Sequence, residues 1–196
     1  MKKRQTAFVL FSLSFFFFTS SYLYAESLQS LRTKAEAGNP VAQTNLGVRY
    51  MVGDGVPKNK QIAAYWYEKA ARQGASSAQH NLGYMYYFGD GLPKDEKEGF
   101  EWLLLAALQG DIDAQSYVGY AYTYGRGVRK NEKEGFKWSM AAASKNLAVA
   151  QYNVGVNYYT GKGVSKNKKK AAYWMRKAAD QKLQIAIDEM WRLELW

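Results

Sequence analysis

Apolar and small residues return along this chain with a period of 36 residues, while the polar positions between them vary. Gln43, Gln79, Gln115 and Gln151 mark the pattern. Gly47, Gly83, Gly119 and Gly155 follow, then Tyr50, Tyr86, Tyr122 and Tyr158, then Trp66, Trp102, Trp138 and Trp174. In the first half of each unit, residues such as Ala42, Leu46, Gly47 and Tyr50 share one helical face, spaced i, i+4, i+5, i+8. This helix A is expected to end at Gly53-Asp54-Gly55, Gly89-Asp90-Gly91, Gly125-Arg126-Gly127 and Gly161-Lys162-Gly163. A glycine just past a helix accepts the left-handed conformation that closes it. A dinucleotide loop, by contrast, follows a strand and is not written four times.

Helix B of each unit begins after Asn59, Asp95, Asn131 and Asn167, which are strong N-caps; Glu98 and Glu134 stand where the reciprocal arm of a capping box would be. Its buried face is assigned to Trp66, Ala70 and Ala71 and their equivalents, large beside small as interdigitated helices require. A glycine inside helix A costs about 1 kcal/mol relative to alanine, so four at one phase imply a close helix crossing. The pattern predicts an all-α solenoid in which each unit buries its apolar face only by stacking on its neighbours.

The residues from Ala42 to Asn59, A-Q-x-N-L-G-x-x-Y-x-x-G-x-G-V-P-K-N, and onward through Ala64-Tyr65-Trp66-Tyr67 to Ala70-Ala71, resemble the Sel-1-like repeat, a relative of the tetratricopeptide repeat. The resemblance implies a right-handed superhelix of helix pairs that serves as a non-enzymatic, protein-binding scaffold. It covers four units, 38–73, 74–109, 110–145 and 146–181, with capping helices expected at 26–37 and 182–196. Gly99 and Gly135 depart from the pattern at the site of Ala63, a change expected to weaken helix B slightly, and Trp191 takes the place of the helix A glycine in the last segment.

Residues 1–25 are of another kind. Lys2, Lys3 and Arg4 precede an apolar stretch from Ala7 to Phe18, closed by Thr19-Ser20-Ser21 and Ala25. That order reads as a secretory signal cleaved after Ala25, in a protein destined for the periplasm or the exterior of a Gram-negative bacterium. Retention as an anchor is the alternative, although a span needs about 20 apolar residues. The chain has no cysteine, which excludes disulfides, a lipoprotein acyl site and thiolate metal sites.

Charge is unevenly placed. Basic and acidic residues balance at 13 each from Glu26 to Glu134, whereas Gly135 to Ala179 holds nine basic residues and no acid. Lys166, Lys168, Lys169 and Lys170 concentrate this charge in the fourth unit, the last three in the first helical turn, where the macrodipole disfavours cations. A solvated face is one account of the run; an anionic envelope surface is the other. Nucleic acid is not expected as a partner of an exported protein.

No catalytic or metal-binding set is evident, and no cofactor is expected. His80 is the only histidine and has no nucleophile in phase with it. Ser165-Lys166-Asn167-Lys168 matches S-x-x-K but lies in the inter-helix loop without its companion motifs. On helix A the non-recurring positions fall on one stripe, which the resemblance places in the concave groove of a monomeric scaffold. It carries Asn45, Asn81, Tyr84, Phe88, Tyr117, Tyr120, Tyr124 and Asn153, flanked by His80, Tyr87, Tyr152 and Tyr159. Tyrosine gives contact area at small entropic cost, and asparagine can grip a peptide main chain or a terminal carboxylate. The expected function is therefore binding of a protein or peptide. The alternatives are binding of peptidoglycan or polysaccharide, and a β-lactamase-like hydrolase of the kind some family members were once labelled.

Overall fold

The computed structural model describes residues 27–195, and the elements among them are ten α-helices. A short helix α1 (Leu28–Glu36) precedes four helix pairs: α2 (Pro40–Val52) with α3 (Lys60–Arg72), α4 (Ser76–Phe88) with α5 (Glu96–Leu108), α6 (Ile112–Tyr124) with α7 (Glu132–Ser144), and α8 (Ala148–Thr160) with α9 (Lys168–Asp180). The last helix is α10 (Gln184–Arg192). Even-numbered helices are helix A and odd-numbered ones helix B; α1 carries the phase of helix B and α10 that of helix A. The two ends are therefore half-units. The core runs along the stack as a series of clusters, such as Ala63, Tyr67 and Ala70 of α3 with Ala78, Leu82 and Met85 of α4. Each joins helix B of one unit to helix A of the next, the nearest-neighbour arrangement of a solenoid.

The glycines of helix A sit where the two helices of one unit cross. A Cβ on Gly47, Gly83, Gly119 or Gly155 would lie 2.6, 2.8, 2.6 and 2.5 Å from the side chains of Tyr67, Leu103, Ser139 and Met175 respectively. These four, one residue beyond each tryptophan, are the large or enclosed residues of helix B, at 2%, 1%, 2% and 0% exposure. The tryptophans are only half-buried, which corrects their assignment to the buried face. A helix face is wider than one position, and the side chain facing a glycine is the one that is sealed.

Gly99 and Gly135 also correct an expectation. A Cβ on Gly99 would lie 2.5 Å from the Tyr87 backbone nitrogen, and one on Gly135 2.2 Å from Thr123 Oγ1. Their low helix propensity is set against a closer approach of α4 to α5 and of α6 to α7, so they are packing residues rather than weak points.

The N-caps are as expected: Asn59, Asp95, Asn131 and Asn167 accept from the N–H groups of Ile62, Glu98, Glu134 and Lys170. The reciprocal capping-box arm is not made. The backbone N–H of each cap already donates to a helix A carbonyl, that of Tyr50, Tyr86, Tyr122 or Tyr158, at 2.8–2.9 Å. With that donor satisfied, Glu98 accepts instead from Trp102 Nε1 at 2.8 Å, and Glu134 pairs with Lys137 at 2.6 Å.

The period-marking glutamines tie units together. Gln43, Gln79 and Gln115 each donate Nε2 to a carbonyl of the preceding helix B, those of Ala35, Ala71 and Ala107, at 3.0, 3.2 and 3.2 Å. Gln73, Gln109 and Gln181 then donate to the side-chain oxygens of Gln43, Gln79 and Gln151 at 2.7, 2.7 and 2.8 Å. In the third unit Lys145 stands where these donors stand. Ion pairs mark the junctions on the loop side: Lys60 with Asp90, and Glu96 with Arg126 at 2.5 Å. At Gly127, φ is +70° and an added Cβ would lie 1.9 Å from the Glu96 carbonyl oxygen, so the second glycine of the loop touches the preceding unit.

Candidate functional site

The stripe on helix A faces outward along α2, α4, α6 and α8, and its aromatic residues meet one another rather than standing singly. The Tyr84 ring lies 4.5 Å from Phe88 and 5.9 Å from Tyr117, and Phe88 lies 5.7 Å from Tyr117. Tyr120 and Tyr124 are 4.6 Å apart. Tyr84, Phe88, Tyr120 and Tyr124 stay between a third and a half exposed, with Tyr120 and Tyr124 at 42% and Phe88 at 47%, while Tyr117 is half-buried. The recurring tyrosines behave otherwise: Tyr122 sits edge-on to Phe100 of the preceding unit at 5.2 Å and Tyr158 to Phe136 at 5.3 Å, so they hold the stack.

A cleft of about 350 Å³ opens on this face. Phe88, Tyr117, Tyr120 and Asn153, read from the sequence as site residues, line it, and Tyr84 and Tyr124 buttress it through the ring contacts above. The remaining walls are Tyr87, Ser116, Val149, Tyr152 and Ile185. Two signals could have found more of these. Val149 and Ile185 continue the stripe phase by the 36-residue period, Ile185 into the last helix, and Tyr87 and Tyr152 flank the stripe. Asn45 lines a separate cleft of about 250 Å³ with Leu31, Val48 and the Arg49–Asp54 ion pair. Asn81 is half-buried on α4 and lines neither cleft. Tyr87 is 4% exposed, and burial pushes its phenol up to about 12.

His80 joins two units beside the cleft. Its Nδ1 lies 2.9 Å from Asp111 Oδ1, the N-cap of α6, which also accepts from the Ala114 N–H at 2.8 Å, and its ring lies 6.3 Å from Tyr117. The Asp111 bond raises the His80 pKa above its ordinary value. Burial pulls Asp111 upward, but the bonds from His80 and Ala114 outweigh it and the carboxyl titrates below its usual range. The stabilisation from a raised histidine is fully present below its unfolded pKa of 6.5 and is lost as pH rises through the folded value. Denaturant unfolding should therefore show stability falling by about 1 kcal/mol or less above that range. With His80→Gln this step should vanish, since no other histidine titrates there; a step that persists in the variant contradicts the assignment.

Lys166, Lys168, Lys169 and Lys170 are exposed, and α9 begins at Lys168. Lys170 Nζ lies 5.4 Å from the Tyr158 ring centroid. Among the described residues, no group of three or more His, Cys, Asp or Glu side chains could hold a metal ion, and no helix is long and apolar enough to cross a membrane.

The Sel1 repeat model matches the chain four times, at residues 40–74, 76–111, 112–147 and 148–183. No curated protein matches significantly. Among solved structures, the chain is similar to a protective antigen of uropathogenic Escherichia coli displaying an SLR fold, with 34% identity and a TM-score of 0.79 over 85% of this chain and 36% of that one. It is similar to a Sel1 repeat protein from Oxalobacter formigenes, with 35% identity and a TM-score of 0.73 over 83% of this chain and 66% of that one. An immunity protein from Pseudomonas aeruginosa is more distant, with 25% identity and a TM-score of 0.52 over 81% of this chain and 58% of that one. The chain thus spans about a third to two thirds of the length of these neighbours. Sel1 repeat proteins generally mediate protein–protein interaction, and their fold is generally a non-enzymatic scaffold. With four consecutive repeats matched and a stack of helix pairs to carry them, this chain belongs to the Sel1 repeat family.

Proposed function

We propose that the protein is an exported, non-enzymatic scaffold that binds a protein or peptide on the helix A face, in the groove lined by Phe88, Tyr117, Tyr120 and Asn153. The observation that carries this reading is the apolar cleft of about 350 Å³ on a face where clustered tyrosines remain exposed. Exposed aromatic clusters around a concavity are the usual anchors of protein recognition, and single exposed apolar residues are not. Export is proposed from the basic, apolar and small-residue order of residues 1–25, which lie outside the described residues. The intact mass of the secreted protein should correspond to a chain starting near Glu26; an uncleaved chain in the membrane contradicts this. Labelled muropeptides and a penicillin reporter, offered to purified protein beside a displayed peptide library, separate the scaffold from a glycan binder and a hydrolase. Saturable muropeptide binding or reporter turnover with no peptide selection overturns the scaffold.

The lysine block supports a second role, attraction to an anionic surface. Exchanging Lys168, Lys169 and Lys170 for Glu should slow association with anionic vesicles, a loss that fades as salt shortens the Debye length to about 3 Å at 1 M. The same change should raise the melting temperature slightly, because it replaces cations with anions at the N-terminus of α9, worth about 0.3 to 1 kcal/mol each. Vesicle association unaltered at low salt removes the proposed role.

A further inference from the structure

At two of the junctions between units, residues of opposite charge close the loop side: Lys60 with Asp90, and Glu96 with Arg126 at 2.5 Å. The 36-residue period places Glu132 and Lys162 at the third junction. That pair is not closed. Glu132 is bonded to Lys130 at 2.7 Å and feels Lys162 only from further off, while Lys162 Nζ lies 4.2 Å from the centroid of the Tyr124 ring. The Tyr124 ring meets Tyr120, a wall of the cleft. A half-buried ammonium thus stands at the loop-side rim of the aromatic cleft, one face on a ring, with donors to spare for an acceptor.

The cleft itself is lined by no charged side chain, so the body of what it binds is apolar. Its two ends differ in sign. Asp113, which acts on Tyr117, lies in the first turn of α6, and Tyr124 ends that helix about 16 Å further on. Asp111 beside it is bonded to His80, and on α10 Glu189 is bonded to Arg192. From Gly135 to Ala179, a stretch that includes α8 and Lys162, there is no acid. An acid on the ligand is therefore repelled at the Asp113 end and drawn to the Lys162 end, where Glu132 is already held by Lys130.

We propose that the cleft takes one bulky apolar side chain from an acidic segment of a partner protein, with a carboxylate of that segment bonded to Lys162. The proposal rests on the groove reading above and names the partner's chemistry. Walls of tyrosine and phenylalanine are those enriched in protein interfaces, and the charge at the rim selects an acid beside the apolar anchor.

The test offers random displayed peptides to the purified protein at low salt. Enrichment should centre on an aromatic or large aliphatic residue with Asp or Glu a few positions to one side. The selected peptide is resynthesised as it stands and with its acids exchanged for Asn or Gln. Lys162→Met should weaken the acidic peptide roughly three- to tenfold, between an exposed ion pair and an enclosed charged hydrogen bond, and leave the neutral peptide unchanged. That difference supports the proposal, because a disturbed fold would weaken both peptides alike. Four results overturn it: enrichment without acids, equal binding of the two peptides, an equal loss for both in Lys162→Met, or a loss on exchanging Lys168, Lys169 and Lys170 with none in Lys162→Met. Where Tyr120→Ala still abolishes binding, the groove reading stands. Binding indifferent to Tyr120→Ala with the fold intact by circular dichroism removes both. So does a library with no enrichment, and anionic phospholipid vesicles that bind through Tyr120 would then assign the cleft to a lipid.

Discussion

Replacing Gly119 by leucine is expected to lower stability by about 1 to 3 kcal/mol, the range for overpacking a filled site, or more where backbone must move. The Cβ alone would stand 2.6 Å from Ser139 Oγ, 2.8 Å from the Ser139 backbone nitrogen and 3.1 Å from the Gly135 carbonyl. Two of these are backbone atoms, so no rotamer change relieves the contact, and α6 and α7 must separate at their crossing. Because each unit is stabilised by its neighbours, a separation in the third unit weakens contacts on both sides. For a domain of this size, each kcal/mol moves the melting temperature by about 2 to 4 °C. Melting indistinguishable from the parent protein would contradict the crossing.

That crossing was legible in the sequence because a glycine in mid-helix has a local penalty and recurs at a fixed phase, and both facts are visible in one dimension. The helix ends were legible for the same reason: Gly53 and its counterparts, and Asn59 and its counterparts, act within a few residues of themselves. What could not be read depends on contacts between helices. Trp66 and Tyr67 are adjacent on helix B, and only the position of Gly47 across the crossing decides that the tyrosine is sealed and the tryptophan half-open. Glu98 is placed for a capping box, yet the donor it would meet, the Asp95 N–H, is taken by the Tyr86 carbonyl, nine residues back in the chain. The role of the repeated glutamines lies in bonds that span 30 residues, as from Gln73 to Gln43.

The candidate site was legible to a similar depth. The stripe phase located Phe88, Tyr117, Tyr120 and Asn153 on one face, and the same phase carried one unit further reaches Ile185. Asn45 and Asn81 share the phase but not the cleft, because the groove is not uniform along the stack. Tyr87 was read as a flank of the stripe, and its near-complete burial was not, because that depends on packing across helices.

Tyr120→Ala is expected to weaken the partner by about 2 kcal/mol or more, with little dependence on salt, as truncation of an aromatic anchor does. Tyr120 lines the cleft and contacts Tyr124 at 4.6 Å, while 42% of it is open to solvent. The substitution therefore removes binding area and leaves the helix crossings untouched. Affinity measured by titration calorimetry at low and high salt separates this loss from that of the lysine block, which fades with salt. A change below about 0.5 kcal/mol, the scale of an ordinary surface substitution, would contradict the anchor.

The central claim, that the partner is held on the helix A face, is tested most directly by a photo-reactive amino acid placed at position 120 and, in a second protein, at position 65. Both positions hold exposed tyrosines, at 42% and 50%, the first on α6 and the second on the helix B side of the stack, on α3. With the selected peptide bound, the account predicts a cross-linked adduct from position 120 and none above background from position 65. Adducts from position 65 alone, or equal yields from both, would contradict it.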